Sequence, residues 1–204
     1  MQYLILIATT LVLAIAGPAQ ALDLTPAQTE GPYYPRTKPA ETDPDLTRLG
    51  AGPVAKGDVL VLQGKVVDPA GQPIAGARVE IWQTDAKGIY MHPGDPRTAQ
   101  RDMSFQFYGE SKSAADGGFT FRTILPAPYS GRPRHIHAKI TPPGGATLTT
   151  QFYFVNDADV AKDGIARRLG KALASVTLTP SRPVGKADAP QEATVTVVVP
   201  RGKG

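Results

Sequence analysis

The chain has 204 residues, no cysteine, three histidines and a formal net charge of +4. Without thiols it can form no disulfide and no zinc-ribbon, thiolate or iron–sulfur site, so any metal must be held by His, Tyr, Asp, Glu or backbone oxygen. No run of Lys or Arg exceeds two residues, which reads as a solvated basic surface rather than a nucleic-acid interface.

In chain order, the first segment is a targeting signal. Leu4 to Ala16 is almost wholly apolar, and Ala19-Gln20-Ala21 is a small-x-small cleavage site. The run is shorter than the roughly 20 residues of a membrane span. Residues 1–21 are therefore expected to be a signal peptide for export to the periplasm or beyond, with no membrane association after cleavage. Residues 22–57 are Pro-rich around Glu30-Gly-Pro-Tyr-Tyr-Pro35 and read as an ordered N-terminal arm, because the tyrosines need a surface to pack on. Residues 58–204 form the main domain. Strands are expected at Val59–Val67, Ala77–Thr84, Phe105–Glu110, Gly118–Ile124, His135–Thr141, Thr147–Phe154, Ala174–Thr179 and Ala193–Val199. Gly/Pro turns such as Asp68–Pro73 and Asp85–Gly88 separate them. Asp157–Leu169 alone has helical character, with Asn156 or Asp157 as its cap. Short strands, Gly/Pro turns and one short helix indicate an all-β sandwich or barrel.

Two of the three histidines, His135 and His137, stand one residue apart. On a strand they share a face with Lys139, while Ile136, Ala138 and Ile140 take the other. The apolar face should be the core, so the imidazoles point away from it. Two histidines on an exposed strand face need have no function. Their neighbours change that. Tyr129 lies six residues upstream in a loop of Pro126, Pro128, Gly131 and Pro133, and Tyr90 ends the turn that begins at Asp85. Two phenols and two imidazoles would make a four-donor set that favours a hard, high-valent ion such as Fe(III). Phenol has a pKa near 10, so only a strong Lewis acid keeps it ionised at neutral pH. Zinc or copper on His135, His137 and His92 is the rival, and it leaves both tyrosines unexplained. Arg132 could stabilise charge developing on a substrate. Gln151, on the next strand in phase with Thr149 and Tyr153, could hydrogen-bond toward the site.

These residues sit in longer motifs: Thr25-Pro-Ala-Gln-Thr-Glu-Gly-Pro-Tyr-Tyr34, Gly76-Ala-Arg-Val-Glu-Ile-Trp-Gln83 with Gly88-Ile-Tyr90, and Phe121-Arg-Thr-Ile-Leu-Pro-Ala-Pro-Tyr129 with Arg132-Pro-Arg-His-Ile-His137. Through them the chain resembles the intradiol ring-cleavage dioxygenases, the family of catechol and protocatechuate 3,4-dioxygenases. The resemblance implies an immunoglobulin/transthyretin-like β-sandwich with an N-terminal arm and one short helix. It implies one non-haem Fe(III) per chain on Tyr90, Tyr129, His135 and His137, with Tyr129 as the ligand that leaves when substrate binds. It places Arg132 and Gln151 beside the substrate ring, and Gly31, Pro32 and Tyr33 along the substrate pocket. The implied reaction joins a small aromatic diol and O2 and opens the ring between its two hydroxylated carbons to a cis,cis-muconate-type diacid. No organic cofactor is implied, and a homo-oligomer is compatible with the family. Asp68–Val79 also resembles transthyretin-like and carboxypeptidase-regulatory sandwiches, so a non-catalytic binding domain is the second reading.

Overall fold

The computed structural model describes residues 20–202. The apolar run and most of the expected signal segment lie outside them.

Among the described residues eight strands form two sheets packed face to face. They are β1 (Val59–Val67), β2 (Arg78–Trp82), β3 (Tyr108–Lys112), β4 (Gly118–Ile124), β5 (His135–Thr141), β6 (Leu148–Phe154), β7 (Thr177–Leu178) and β8 (Gln191–Val198). The smaller sheet has the order β4-β1-β8 and the larger β3-β2-β5-β6-β7. Two pairs, β1 with β8 and β6 with β7, are parallel; the remaining pairs are antiparallel. The core is filled by inward residues of both sheets, among them Leu60, Leu62, Phe121, Ile81, Ile136 and Phe152. Period-two burial along β1 and β8 is the signature of a sheet with one dry face. The architecture is the expected all-β sandwich.

Strands β1, β4 and β5 have the bounds that their alternation predicts. The strand expected at Phe105–Glu110 begins only at Tyr108. Phe105 and Phe107 are buried in the core, but Phe107 has φ +63°, and pairing starts after it. The segment expected to be helical over Asp157–Leu169 is divided into a 3-10 turn, Val160–Lys162, and one α-helix, α1 (Gly164–Arg167). Its cap is Asp163, not Asn156 or Asp157. Asp163 has extended backbone (ψ 120°), and its carboxylate accepts from the N–H groups of Ile165 and Ala166. The strand expected at Ala174–Thr179 is reduced to β7, because Gly170–Val176 forms a 3-10 helix.

The segment before β1 lies across the outer face of the larger sheet. Gln28 N donates to Thr149 O, and Thr150 Oγ1 donates to Pro26 O, both at 2.8 Å. Farther on, Tyr34 Oη and Lys38 Nζ both reach the buried Glu80 carboxylate, and Lys139 pairs with Glu30. Burial alone would push the Glu80 carboxyl up. Hydrogen bonds from Tyr108, Tyr34 and Lys38 outweigh it and hold the carboxyl below its usual range. The partners of that carboxylate therefore fasten the arm to β2.

Candidate metal centre

His135 and His137 lie on the face of β5 opposite Ile136, Ala138 and Ile140, as the strand phase requires. That outer face is nonetheless buried: His135 is 2% exposed and His137 1%. The arm and the loop after β2 cover it. Gly31 has φ +73°, and a Cβ there would stand 3.3 Å from His137 Cε1, so the arm backbone rests directly on the imidazole. Trp82, the register partner of His137 on β2, stacks on it at 4.8 Å and 10°.

Tyr90 arrives from a loop held by two aspartates. Asp85 Oδ1 accepts from Lys87 N and Ile89 N, and Asp95 Oδ2 accepts from Tyr90 N at 2.9 Å. Gly88, at φ +74°, lets this loop touch the loop of Tyr129; a Cβ there would fall 2.3 Å from Pro128 O. Tyr129 and Arg132 are the flanks of a two-residue turn. Ser130 (φ +44°) and Gly131 (φ +74°) are both left-handed, and Arg132 N donates to Tyr129 O at 2.7 Å, as in a type I′ hairpin turn.

The four expected donors are brought into one ring. Centroid separations are 5.0 Å for Tyr90–Tyr129, 5.4 Å for Tyr129–His135, 4.8 Å for His135–His137 and 6.4 Å for Tyr90–His137. His135 Nδ1 lies 2.7 Å from the Pro133 carbonyl, which can only accept, so the proton is on Nδ1 and the lone pair on Nε2. Nε2 of His135 and Nε2 of His137 approach to 3.2 Å. Tyr90 Oη is buried with no hydrogen-bond partner. A buried, orphaned phenol beside converging imidazole nitrogens is costly in a fold that only has to be stable, and it fits a site that receives a cation.

Electrostatics agree. Burial pushes the Tyr90 phenol well above its ordinary value, and the neighbouring Tyr129 adds to this. Burial also raises Tyr129, although the Arg132 guanidinium works against the shift. Burial, with Arg132 second, lowers His135 to about 4. His137 falls well below its usual range through burial, His135 and Arg132. At neutral pH both imidazoles are thus neutral with lone pairs available, and both phenols keep their protons until a cation replaces them.

Gln151 faces His137 across the β5–β6 ladder, and its Oε1 accepts from Arg132 Nη2 at 2.8 Å. Its Nε2 donates to Thr29 O of the arm at 2.9 Å. It therefore acts on Arg132 and the arm. Tyr33 stacks on Tyr90 at 4.6 Å and meets Tyr129 edge-on at 5.6 Å. Gly31 and Tyr33 thus border the donor ring, while Pro32 between them is exposed. His92 meets Tyr33 edge-on, and among the described residues no three His, Cys, Asp or Glu gather as a metal site, which removes the zinc or copper arrangement on three histidines. Sequence reasoning missed Trp82 as the stacking partner of His137, and Asp163, which pairs with Arg132. Asp163 stands before Gly164-Ile-Ala-Arg167, a capping position, and that was its legible signal.

The Dioxygenase family model matches residues 29–193. The chain belongs to the intradiol ring-cleavage dioxygenases. Catechol 1,2-dioxygenase 1 of Acinetobacter lwoffii is 34% identical over 151 residues, covering 65% of this chain and 47% of that protein. The protocatechuate 3,4-dioxygenase beta chain of Burkholderia cepacia is 34% identical over 143 residues, covering 66% of this chain and 61% of that one. The matched stretch thus spans about half to three-fifths of these intradiol relatives. The dioxygenase domain of a dioxygenase–carbohydrate-binding protein fusion from Streptomyces sp. SirexAA-E superposes with TM-score 0.69 at 31% identity, over 88% of this chain and 99% of that one.

Proposed function

We propose that this intradiol family member is a non-haem Fe(III) oxidoreductase. It would use O2 to open a catechol-type ring between the two hydroxylated carbons, giving a cis,cis-muconate-type diacid. The observation that carries the reading is the closed ring of Tyr90, Tyr129, His135 and His137, in which the buried Tyr90 phenol has no hydrogen-bond partner. A binding-only sandwich has no use for that arrangement. The four side chains would hold one iron, which supplies the Lewis acidity and electron acceptor that a catechol needs before its ring reacts with O2.

The chain's own groups then have separate tasks. His135 is oriented by the Pro133 carbonyl so that Nε2 alone faces the site. Tyr90, the more deeply buried phenol, is the resident anionic donor. Tyr129, beside Arg132, would be the second phenol donor and the group placed to take up a substrate hydroxyl proton at Oη. Arg132 keeps N–H groups free to stabilise negative charge as it develops on the substrate ring. Gly31 and Tyr33 close the arm side and exclude water from the reacting face.

Colour and metal content test this reading. The purified protein should hold one iron per chain and absorb visible light by tyrosinate-to-iron charge transfer, and Tyr90→Phe should shift or bleach that band. A colourless protein that iron cannot reconstitute would contradict the reading.

A further inference from the structure

A guanidinium has five N–H hydrogens, and the fold engages two of those on Arg132. Nε donates to Asp163 Oδ2, and Nη2 donates to Gln151 Oε1 at 2.8 Å. Among the described residues no other side chain engages the end-on Nη1–Nη2 edge at normal hydrogen-bond geometry, and the phenols of Tyr129 and Tyr153 lie beside the guanidinium. The fixed plane of the guanidinium means that holding the Nε side determines where this free edge points.

Asp163 is placed for that task. It is buried, and its two oxygens are divided. Oδ1 accepts from Ile165 N and Ala166 N at 2.8 Å each, which anchors the carboxylate to the start of α1. Oδ2 is left for Arg132. The charges reinforce each other. Burial opposes both, yet the hydrogen bond from Arg132 and the capping N–H groups keep the Asp163 carboxyl low, and Asp163 keeps the Arg132 guanidinium high. Gln151 supplies the second tether and is itself held by Thr29 O of the arm.

We propose that Asp163 is a positioning residue for ring cleavage: it fixes the roll of the Arg132 guanidinium so that the free Nη edge meets the substrate. The proposal rests on the ring-cleavage reading above. Asp163 touches neither substrate nor metal and acts only through Arg132.

The decisive variant is Asp163→Ser, which keeps a capping oxygen for the α1 N–H groups but removes the acceptor for Arg132 Nε. Asp163→Asn is the second variant, for the case in which the serine protein does not fold. Its Oδ1 can cap, while its Nδ2 is a donor and cannot take the Nε–H. Either variant should keep the iron content and visible band of the wild type while kcat falls roughly 10–100-fold, with a smaller change in KM. In an Arg132→Ala background the Asp163 substitution should slow turnover no further, because both act at one group. In the iron-free protein the Arg132 Nε–H should give a distinct nitrogen-15 NMR resonance protected from exchange, and Asp163→Ser should merge it with the exposed arginines. Undiminished turnover in both variants would overturn the assignment, as would rate losses that multiply in the double variant or an Nε–H resonance unchanged by the substitution. A wild type that cleaves no catechol would sink the functional reading and this role together; a cleaving wild type with unaffected variants would sink this role alone.

Discussion

Tyr90 Oη sits in the interior without a partner, and a buried hydroxyl left unpaired costs about 1–3 kcal/mol. Tyr90→Phe removes that penalty. The iron-free variant should therefore be at least as stable as the iron-free wild type in thermal unfolding, while its iron affinity falls. A variant that is much less stable without metal would show that Tyr90 serves packing and not the site. His135 gives a pH dependence. Its folded pKa of about 4 lies below the ordinary value of 6.5. Between those values the unfolded chain binds a proton that the folded chain does not, so stability rises with pH there and is lost as pH falls toward 4. The shift corresponds to about 3 kcal/mol. Urea unfolding of the iron-free protein across this range checks it, and His135→Gln should reduce the slope while the buried His137, lowered in the same direction, keeps the rest. At residue scale the cluster of Tyr90, Tyr129, His135 and His137 was legible because all four lie in motifs at strand ends or loops. Trp82 was not singled out, since nothing in one sequence says which residue of β2 will face His137 across the ladder.

At the scale of elements, two glycines set the distance between parts of the site. Gly88 lets the Tyr90 loop lie against Pro128, and Gly31 lets the arm lie on His137. Gly88→Ala meets both a left-handed φ and a backbone oxygen, so it should cost more than about 1 kcal/mol and weaken iron retention by separating Tyr90 from Tyr129. Thermal unfolding and metal content measure the two effects. Strands β1, β4 and β5 could be read from alternation because each has one apolar face toward the core. The stretch Phe105–Phe107 alternates equally well, yet it forms no strand: Gln106 N donates to Leu46 O of the arm, and the left-handed backbone at Phe107 sets the start of β3 after it. The helical segment over Asp157–Leu169 is interrupted for a similar reason. Its apolar residues suit a helix, but Asp163 is extended and restarts the segment as α1. Backbone breaks at non-glycine residues leave little trace in composition.

Over the whole molecule, the sandwich supplies a rigid larger sheet and the arm turns its outer face into a second interior. This is why the histidine face, expected to point away from the core, is as dry as the core itself. Glu80 is the buried anchor of the arm, so Glu80→Gln should loosen Tyr34 and Lys38 and speed hydrogen exchange at residues 30–38, leaving the β1–β4–β8 sheet protected. Unchanged exchange would show that the arm is held elsewhere. Export is proposed from residues 1–21, and the exported protein should begin at Leu22, as its N-terminal sequence would reveal. The central claim is the reaction itself. Its most direct test is to incubate the iron-loaded protein with a simple catechol under isotopically labelled O2 and identify the product by mass spectrometry. The account predicts a cis,cis-muconate-type diacid carrying label from both oxygen atoms; an ortho-quinone, a ring opened beside rather than between the hydroxyls, or no labelled product would contradict it.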